Sequence, residues 1–86
     1  MMANYDNLRD YLRSAELSDN MIRLTFGQIE EIIGEKLPQS AHELRTWWSN
    51  QKNVNEPHKN GWLDAGFMVI KVKFSEDYVD FLKIRD

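Results

Sequence analysis

The chain has 86 residues, of which 42% are hydrophobic and 12% aromatic, and this is enough apolar material for one domain with one core over residues 1–86. It contains no cysteine, which excludes disulfides and thiolate zinc sites and is typical of a reducing compartment. A formal net charge of −3 argues against a dedicated nucleic-acid binder, because such proteins usually carry a basic surplus.

The first part of the chain predicts a helix, a strand and a second helix. Apolar side chains recur at helical spacing over residues 5–15, and residues 21–26 alternate between apolar and polar as in a short strand. Thr25 is followed three residues later by Gln28, the capping-box pattern that begins a helix. Gly34 suits a left-handed C-terminal cap, so we expect this second helix to end there.

Residues 41–50 predict a third helix with two different sides. Ser40 and Glu43 repeat the capping-box spacing just before it, and Trp48 belongs to its apolar side. The other side carries a polar and mildly basic stripe at helical spacing, formed by His42, Arg45, Ser49 and Lys52. This stripe lies within residues 42–60. When the chain is divided into residues 1–41, 42–60 and 61–86, this middle segment is the only one whose charge is not net negative.

The last part of the chain predicts a short helix and a β-hairpin. Pro57 stands where a helix could begin, and Gly66 suits its C-terminal cap. Residues 67–74 and 78–84 alternate as two strands joined by a turn, and Lys71 and Lys73 share one side of the first strand. Its opposite side would carry Met68, Ile70, Val72 and Phe74. The order helix–strand–helix–helix–(short helix)–hairpin predicts an α+β, winged-helix-like fold.

A series of short motifs is distributed over residues 5–81. They are Leu24-Thr25-Phe26, Ile29-Glu30, Ile33-Gly34, Leu37-Pro38, Ser40-Ala41, Arg45, Trp47-Trp48, Asn50, Trp62, Ala65-Gly66 and Val79 with Phe81. Together they resemble a family of short bacterial and phage proteins that has no assigned activity. The shared pattern is L-P-x-S-A…R-x-W-W-x-N…W-x-x-A-G. Its most specific part is the pair Trp47-Trp48 with Asn50, followed by Trp62 and Ala65-Gly66. It implies one fold unit and a bacterial or phage setting, and it implies no mechanism.

Two tryptophans in succession allow two interpretations. Adjacent helical residues point about 100° apart, so both indoles cannot lie fully in one core face. The favoured interpretation places Trp48 in the core and Trp47 over the hairpin or over the loop before Trp62. The alternative is an aromatic platform on which a base or a partner side chain stacks.

Catalytic patterns are missing from the sequence. His42 and His58 come without cysteines, an HExxH motif or clustered carboxylates, so we expect surface histidines and no metal site. There is also no glycine-rich phosphate loop and no GxSxG motif. We therefore predict a binding protein that is not an enzyme and has no cofactor.

Two functional hypotheses remain nearly level, and nucleic-acid binding is slightly ahead. In winged-helix proteins the second helix of the tandem pair enters the major groove. Arg45 would then contact guanine and Asn50 or Gln51 adenine, while Lys71 or Lys73 contacts phosphate. The candidate site comprises His42, Arg45, Ser49, Asn50, Lys52, Lys71 and Lys73.

The second hypothesis is a protein-interaction module, for instance a phage or mobile-element factor that docks on and inhibits a host enzyme or defence complex. The acidic balance and the aromatic content favour it. Either protein would be cytoplasmic and would have no membrane partner, because no run approaches the roughly 20 apolar residues that cross a bilayer and the N-terminal residues lack a signal-peptide pattern. The oligomeric state stays open.

Overall fold

A computed structural model describes residues 4–16, 20–51 and 55–85. These residues form four α-helices, two 3-10 helices and three strands. In chain order they are α1 (Tyr5–Ser14), β1 (Met21–Thr25), α2 (Phe26–Ile33), α3 (Gln39–Glu43), a first 3-10 helix (Arg45–Trp48), a second 3-10 helix (Pro57–Lys59), α4 (Asn60–Leu63), β2 (Phe67–Lys73) and β3 (Tyr78–Lys83). The predicted α+β class is confirmed.

The predicted first helix, first strand and second helix are confirmed, and local capping explains their limits. The Asn4 side chain accepts a hydrogen bond from the Asp6 amide and caps α1. Thr25 and Gln28 form the complete capping box of α2. Gly34 ends that helix with a φ of 79°, a left-handed conformation that glycine adopts at low cost.

The three strands form one antiparallel sheet in the order β1-β3-β2. The central strand β3 pairs with both neighbours, and Val79 and Phe81 are fully buried on its inner side. Helices cover this inner face, because α1 contributes Leu8 and Leu12 and α2 contributes Ile29 to the same core. The other face has no helical layer among the described residues. The predicted hairpin is confirmed, and the likeness to winged-helix domains stays a prediction.

The predicted side-chain directions are wrong in the first half of β2. Phe67 and Val69 face the core, whereas Ile70 is 41% exposed. The pairing with β3 shifts between Val69 and Lys71, which is the signature of a β-bulge at position 70. After the bulge Val72 packs against the core as predicted. One extra residue therefore reverses the alternation within a single strand.

The predicted helix over residues 41–50 is also wrong in extent. The α-helix ends at Glu43, Leu44 is extended with φ −112° and ψ 115°, and a 3-10 helix follows. An α-helix that continued would use the Ala41 carbonyl to accept from the amide of residue 45. That carbonyl instead accepts from the Trp48 indole N–H at 2.8 Å. The predicted Ser40 cap is absent, because Pro38 occupies the N-cap position and no side chain caps the helix.

Candidate binding surface

The chain folds an aromatic cluster around the two successive tryptophans. We use "aromatic cluster" for the ring side chains Tyr5, Phe26, Trp47, Trp48, His58 and Trp62. Trp48 is fully buried and stacks between Phe26 and Trp62, with ring centroids 5.7 Å and 5.6 Å away. The favoured sequence interpretation, which places Trp48 in the core, is confirmed.

Trp47 is partly buried, and one face of its indole is covered by His58. The two rings are nearly parallel with centroids 3.8 Å apart, and His58 Nε2 lies 2.8 Å from the Trp47 carbonyl oxygen. His58 precedes Trp62 in the chain, so Trp47 packs on that loop as the favoured interpretation predicted. The expectation that His58 is a surface residue is wrong, since the ring is partly buried and this burial lowers its pKa below the ordinary value.

Asn50 lies at the border of the aromatic cluster and connects Trp62 to strand β2. Its Nδ2 donates to the Val69 carbonyl at 2.7 Å, and its Oδ1 accepts from the Val69 amide at 2.7 Å. The same Oδ1 accepts from the Trp62 indole N–H at 3.2 Å. The side-chain amide is thus bonded within the protein at both ends, and its predicted role in reading adenine has no geometric support.

Ser49 is bonded to a buried lysine. Lys59 is only 3% exposed, and its Nζ donates to Ser49 Oγ at 2.7 Å and to the Gln51 carbonyl at 3.4 Å. Glu56 supplies the counter-charge at 3.3 Å. These partners offset the cost of burying an ammonium group. Nothing in the polar sequence around Lys59 distinguishes it from a solvated lysine, because all its partners depend on the folded loop.

His42 and Arg45, the other described residues of the predicted stripe, lie in different surroundings from Ser49. His42 packs its ring edge-on against Phe26, with centroids 5.1 Å apart. Arg45 is exposed at the beginning of the first 3-10 helix. Lys52 lies outside the described residues. The stripe requires a continuous helix, whereas the α-helix ends at Glu43 and a 3-10 helix begins at Arg45, so the helical spacing of His42, Arg45 and Ser49 is lost.

Lys71 and Lys73, the predicted hairpin cations, lie on the side of the sheet away from the helices. We define the "open sheet face" as the outward side chains of the three strands: Met21, Arg23, Thr25, Met68, Lys71, Lys73, Tyr78, Asp80 and Leu82. Alternation along each strand assigns them, because their neighbours Leu24, Val69, Val79 and Phe81 are buried on the inner side. Register places Arg23, Asp80 and Lys71 side by side across the sheet.

Arg23 on the open sheet face is paired with Asp80 and packs on Tyr78. It makes two hydrogen bonds to Asp80, of 2.7 and 3.1 Å, and these raise the pKa of the guanidinium. It also lies 3.9 Å above the Tyr78 ring centroid, while Lys71 Nζ is 5.7 Å from the same centroid. We use "cationic tier" for the row of Arg23, Asp80 and Lys71 across the sheet. The Arg23 side chain is 57% exposed and that of Asp80 only 5%, so the outer surface of this tier is cationic.

Next to this tier the open sheet face has an apolar row and an acidic turn. Met21, Leu82 and Met68 are register partners and each is partly buried. At the opposite end Lys73 pairs with Glu76 at 2.9 Å, which raises the pKa of Lys73 and lowers that of Glu76. Glu76 and Asp77 are both exposed in the hairpin turn.

No group of three or more potential metal-ligating side chains occurs within residues 4–16, 20–51 and 55–85. Over the same ranges no helix is both long and apolar enough to span a bilayer.

Comparison with known families places the chain. Residues 5–83 match the model of a family described as Domain of unknown function (DUF7662). The chain belongs to this family. No curated protein and no solved structure shows a significant match to it. Because the function of the DUF7662 family is unknown, membership assigns no activity to this chain.

Proposed function

We propose that this domain binds a partner protein through its open sheet face. The partner in this proposal presents an acidic surface with apolar side chains. One observation carries the proposal: a cationic tier and an apolar row lie next to each other on a sheet face that no described helix covers.

Charge complementarity supports an acidic partner. The open sheet face carries Arg23, Lys71 and Lys73. Asp80 lies beneath Arg23, and Glu76 of the adjoining turn pairs with Lys73. The chain as a whole has a net charge of −3, so this face departs from the average. Cationic patches of this kind accelerate association and orient the partner, and their effect decreases with salt.

The apolar row supports a protein as the ligand. Met21 and Met68 flank Leu82, and flexible methionine side chains adapt to different partner shapes. Protein interfaces are enriched in methionine, arginine and tyrosine at their centres, and the open sheet face combines all three types.

Nucleic-acid binding stays a prediction with less support from the geometry. A winged-helix reader presents a continuous recognition helix, whereas α3 has five residues and ends at Glu43. Ser49 and Asn50 are bonded inside the protein. The hairpin turn carries Glu76 and Asp77, which would repel phosphate.

The cellular setting in this proposal rests on the sequence. The absence of cysteine supports a reducing cytoplasm, and the family resemblance described above supports a bacterial or phage origin. Within that setting, inhibition of a host enzyme or defence complex by docking is the specific form of the hypothesis.

Site-specific photo-crosslinking in the cells that carry the gene tests the proposal. A benzophenone side chain is introduced at position 71 on the open sheet face, and at position 36, an exposed lysine outside it, as the matched control. The expected result is one protein adduct of defined mass from position 71 that position 36 does not give. The adduct should disappear when Arg23→Glu is added, because the cationic tier is then reversed.

Other outcomes contradict the proposal. Equal adducts from both positions, or none from position 71, would exclude the open sheet face as the docking surface. Fluorescence anisotropy with labelled duplex DNA at two salt concentrations tests the competing hypothesis. Binding that weakens with salt and is lost in Arg45→Ala would favour nucleic acid instead.

A further inference from the structure

A cleft of about 560 Å³ lies where the end of α1, the end of α4 and the last residues of the hairpin meet. Its size is within the roughly 300–1,000 Å³ of small-molecule sites. We define this "basic cleft" by its charged lining residues Arg13, Asp64, Lys83 and Arg85. It is separate from the open sheet face, because its wall residue Phe67 belongs to the inner side of β2.

Arg13 is held in position at one side of the cleft. It extends from the last turn of α1, and its Nη2 donates to the Asp64 carbonyl at 2.9 Å. A guanidinium has five N–H donors in a planar fork, and this bond uses one of them. The fork is therefore fixed at the cleft while it retains donors with the geometry that carboxylates and phosphates match.

Arg85 is held at the other side by its backbone. The Ile84 and Arg85 amides both donate to the Gly66 carbonyl, at 2.8 and 3.1 Å. Gly66 has a φ of 83°, and a Cβ there would lie 2.7 Å from the Arg85 carbonyl oxygen. Only glycine permits this close approach, so the backbone that carries the Arg85 side chain is fixed against the turn after α4.

The floor of the cleft is apolar and rigid. Leu12 and Phe67 each have 1% exposure and belong to the main core, and Ala65 is 9% exposed. Ala15, at the C-cap of α1, contributes a small side chain to the lining. Small-molecule sites combine such an apolar floor with a few convergent polar groups.

The charges of the lining select the sign of a ligand. Three cationic side chains, Arg13, Lys83 and Arg85, accompany one carboxylate, Asp64, in a molecule whose net charge is −3. We propose that the basic cleft binds a small organic anion, in which a carboxylate or phosphate group is attached to an apolar body. The anionic group contacts the two arginines, and the apolar body lies on Ala15 and Leu63, the partly exposed apolar residues of the lining.

The proposal is tested by NMR titration of the full ¹⁵N-labelled chain with four probes. Phenyl phosphate and phenylacetate carry both parts of the proposed ligand. Inorganic phosphate carries the charge alone and benzyl alcohol the ring alone. We expect saturable shifts of the Asp64, Gly66 and Arg85 amides with phenyl phosphate or phenylacetate, and the tighter of the two identifies the anionic group. Each single-part probe should bind at least about tenfold more weakly than this ligand.

Matched variants locate the site. Arg13→Gln and Arg85→Gln should each weaken binding of the tighter probe about tenfold or more, since a hydrogen bond to a charged group is lost. Ala15→Leu fills part of the cleft without a change of charge, and it should weaken binding as well. Arg45→Gln removes an exposed arginine elsewhere and should leave binding unchanged. The same spectra report whether each variant is folded.

Three results would overturn the inference. The first is the absence of saturable shifts with both phenyl phosphate and phenylacetate. The second is equal affinity for inorganic phosphate, which would indicate a charged patch without a built site. The third is unchanged binding in folded Arg13→Gln and Arg85→Gln. None of these results bears on the open sheet face, which the photo-crosslinking experiment tests separately.

Discussion

The aromatic cluster and the open sheet face both contain polar residues next to large apolar ones, and they use them in opposite ways. Within the cluster and at its border, His58, Ser49 and Asn50 are bonded to the protein's own carbonyls, amides and lysine. On the open sheet face Arg23 bonds to Asp80 and lies over Tyr78 but stays 57% exposed, and Lys71 is exposed as well. The first group completes the fold, and the second leaves charge at the surface.

Burial of the neighbouring backbone explains this contrast. His58 packs on Trp47 and Asn50 bonds to Trp62, and the polar groups of these partly buried residues must then find partners inside the protein. A strand with one face on the core has no such need on its other face, because the ladder already satisfies its backbone. Replacement of residues in the two regions should therefore give very different losses of stability.

Trp48→Ala should have the largest effect. The change removes a fully buried indole, two stacked neighbours and the hydrogen bond to Ala41. We expect the free energy of unfolding to fall by about 3–5 kcal/mol, measured by urea denaturation. Trp48→Phe, which keeps a ring but not the N–H donor, should lose less. Equal losses in the two variants would mean that ring packing contributes little here.

Asn50→Ala should be next in size. It leaves the Val69 amide, the Val69 carbonyl and the Trp62 indole without their partner. Unsatisfied buried groups make a loss of about 2–4 kcal/mol in the free energy of unfolding the expected result. Asn50→Asp retains the acceptor and lacks the donor, so it should fall between Ala and wild type. A loss below about 0.5 kcal/mol in Asn50→Ala would contradict a structural role.

His58 should give the fold a modest pH dependence. Burial lowers its folded pKa below the ordinary value of 6.5, so the folded state binds the proton less readily than the unfolded chain. The contribution of neutral His58 to stability is fully present above pH 6.5, the pKa of the unfolded chain, and is lost as the pH falls through the folded pKa. The melting temperature of wild type should therefore decline more than that of His58→Gln between about pH 8 and pH 5. Parallel curves would show that His58 does not titrate with folding.

Lys71→Glu should have the smallest effect on stability. The side chain is exposed, so the free energy of unfolding should change by less than about 0.5 kcal/mol in urea. With the benzophenone placed instead at position 21 of the open sheet face, the same change should nevertheless abolish the partner adduct, which Lys36→Glu should preserve. A large loss of stability in Lys71→Glu would remove the distinction between the two regions.

The parts of the fold that sequence predicts are those that local rules determine. α1 and α2 follow from apolar spacing and caps, and the hairpin follows from alternation around a turn. The helix over residues 41–50 was overestimated because the Trp48 indole competes for the Ala41 carbonyl. The side-chain directions in β2 failed because a bulge has no marker in the alternation itself.

The candidate site was less predictable than the fold, because most of its residues act through distant partners. Asn50 is bonded to Val69, nineteen positions further along the chain. Arg13 and Arg85 come from opposite ends of the chain and share a cleft only after α1 packs on α4. Lys71 and Lys73 were correctly assigned to a surface side of the hairpin, because the second half of β2 alternates regularly.

The paired hydrogen bonds between Asn50 and Val69 also bear on self-association. A primary amide offers the same donor and acceptor as a peptide group, so Asn50 takes the position of one residue of a fourth strand beside β2. A strand from another molecule cannot pair with those two backbone groups, and the adjacent bulge further interrupts that edge. One side chain thus limits growth of the sheet into an intermolecular ladder at this edge.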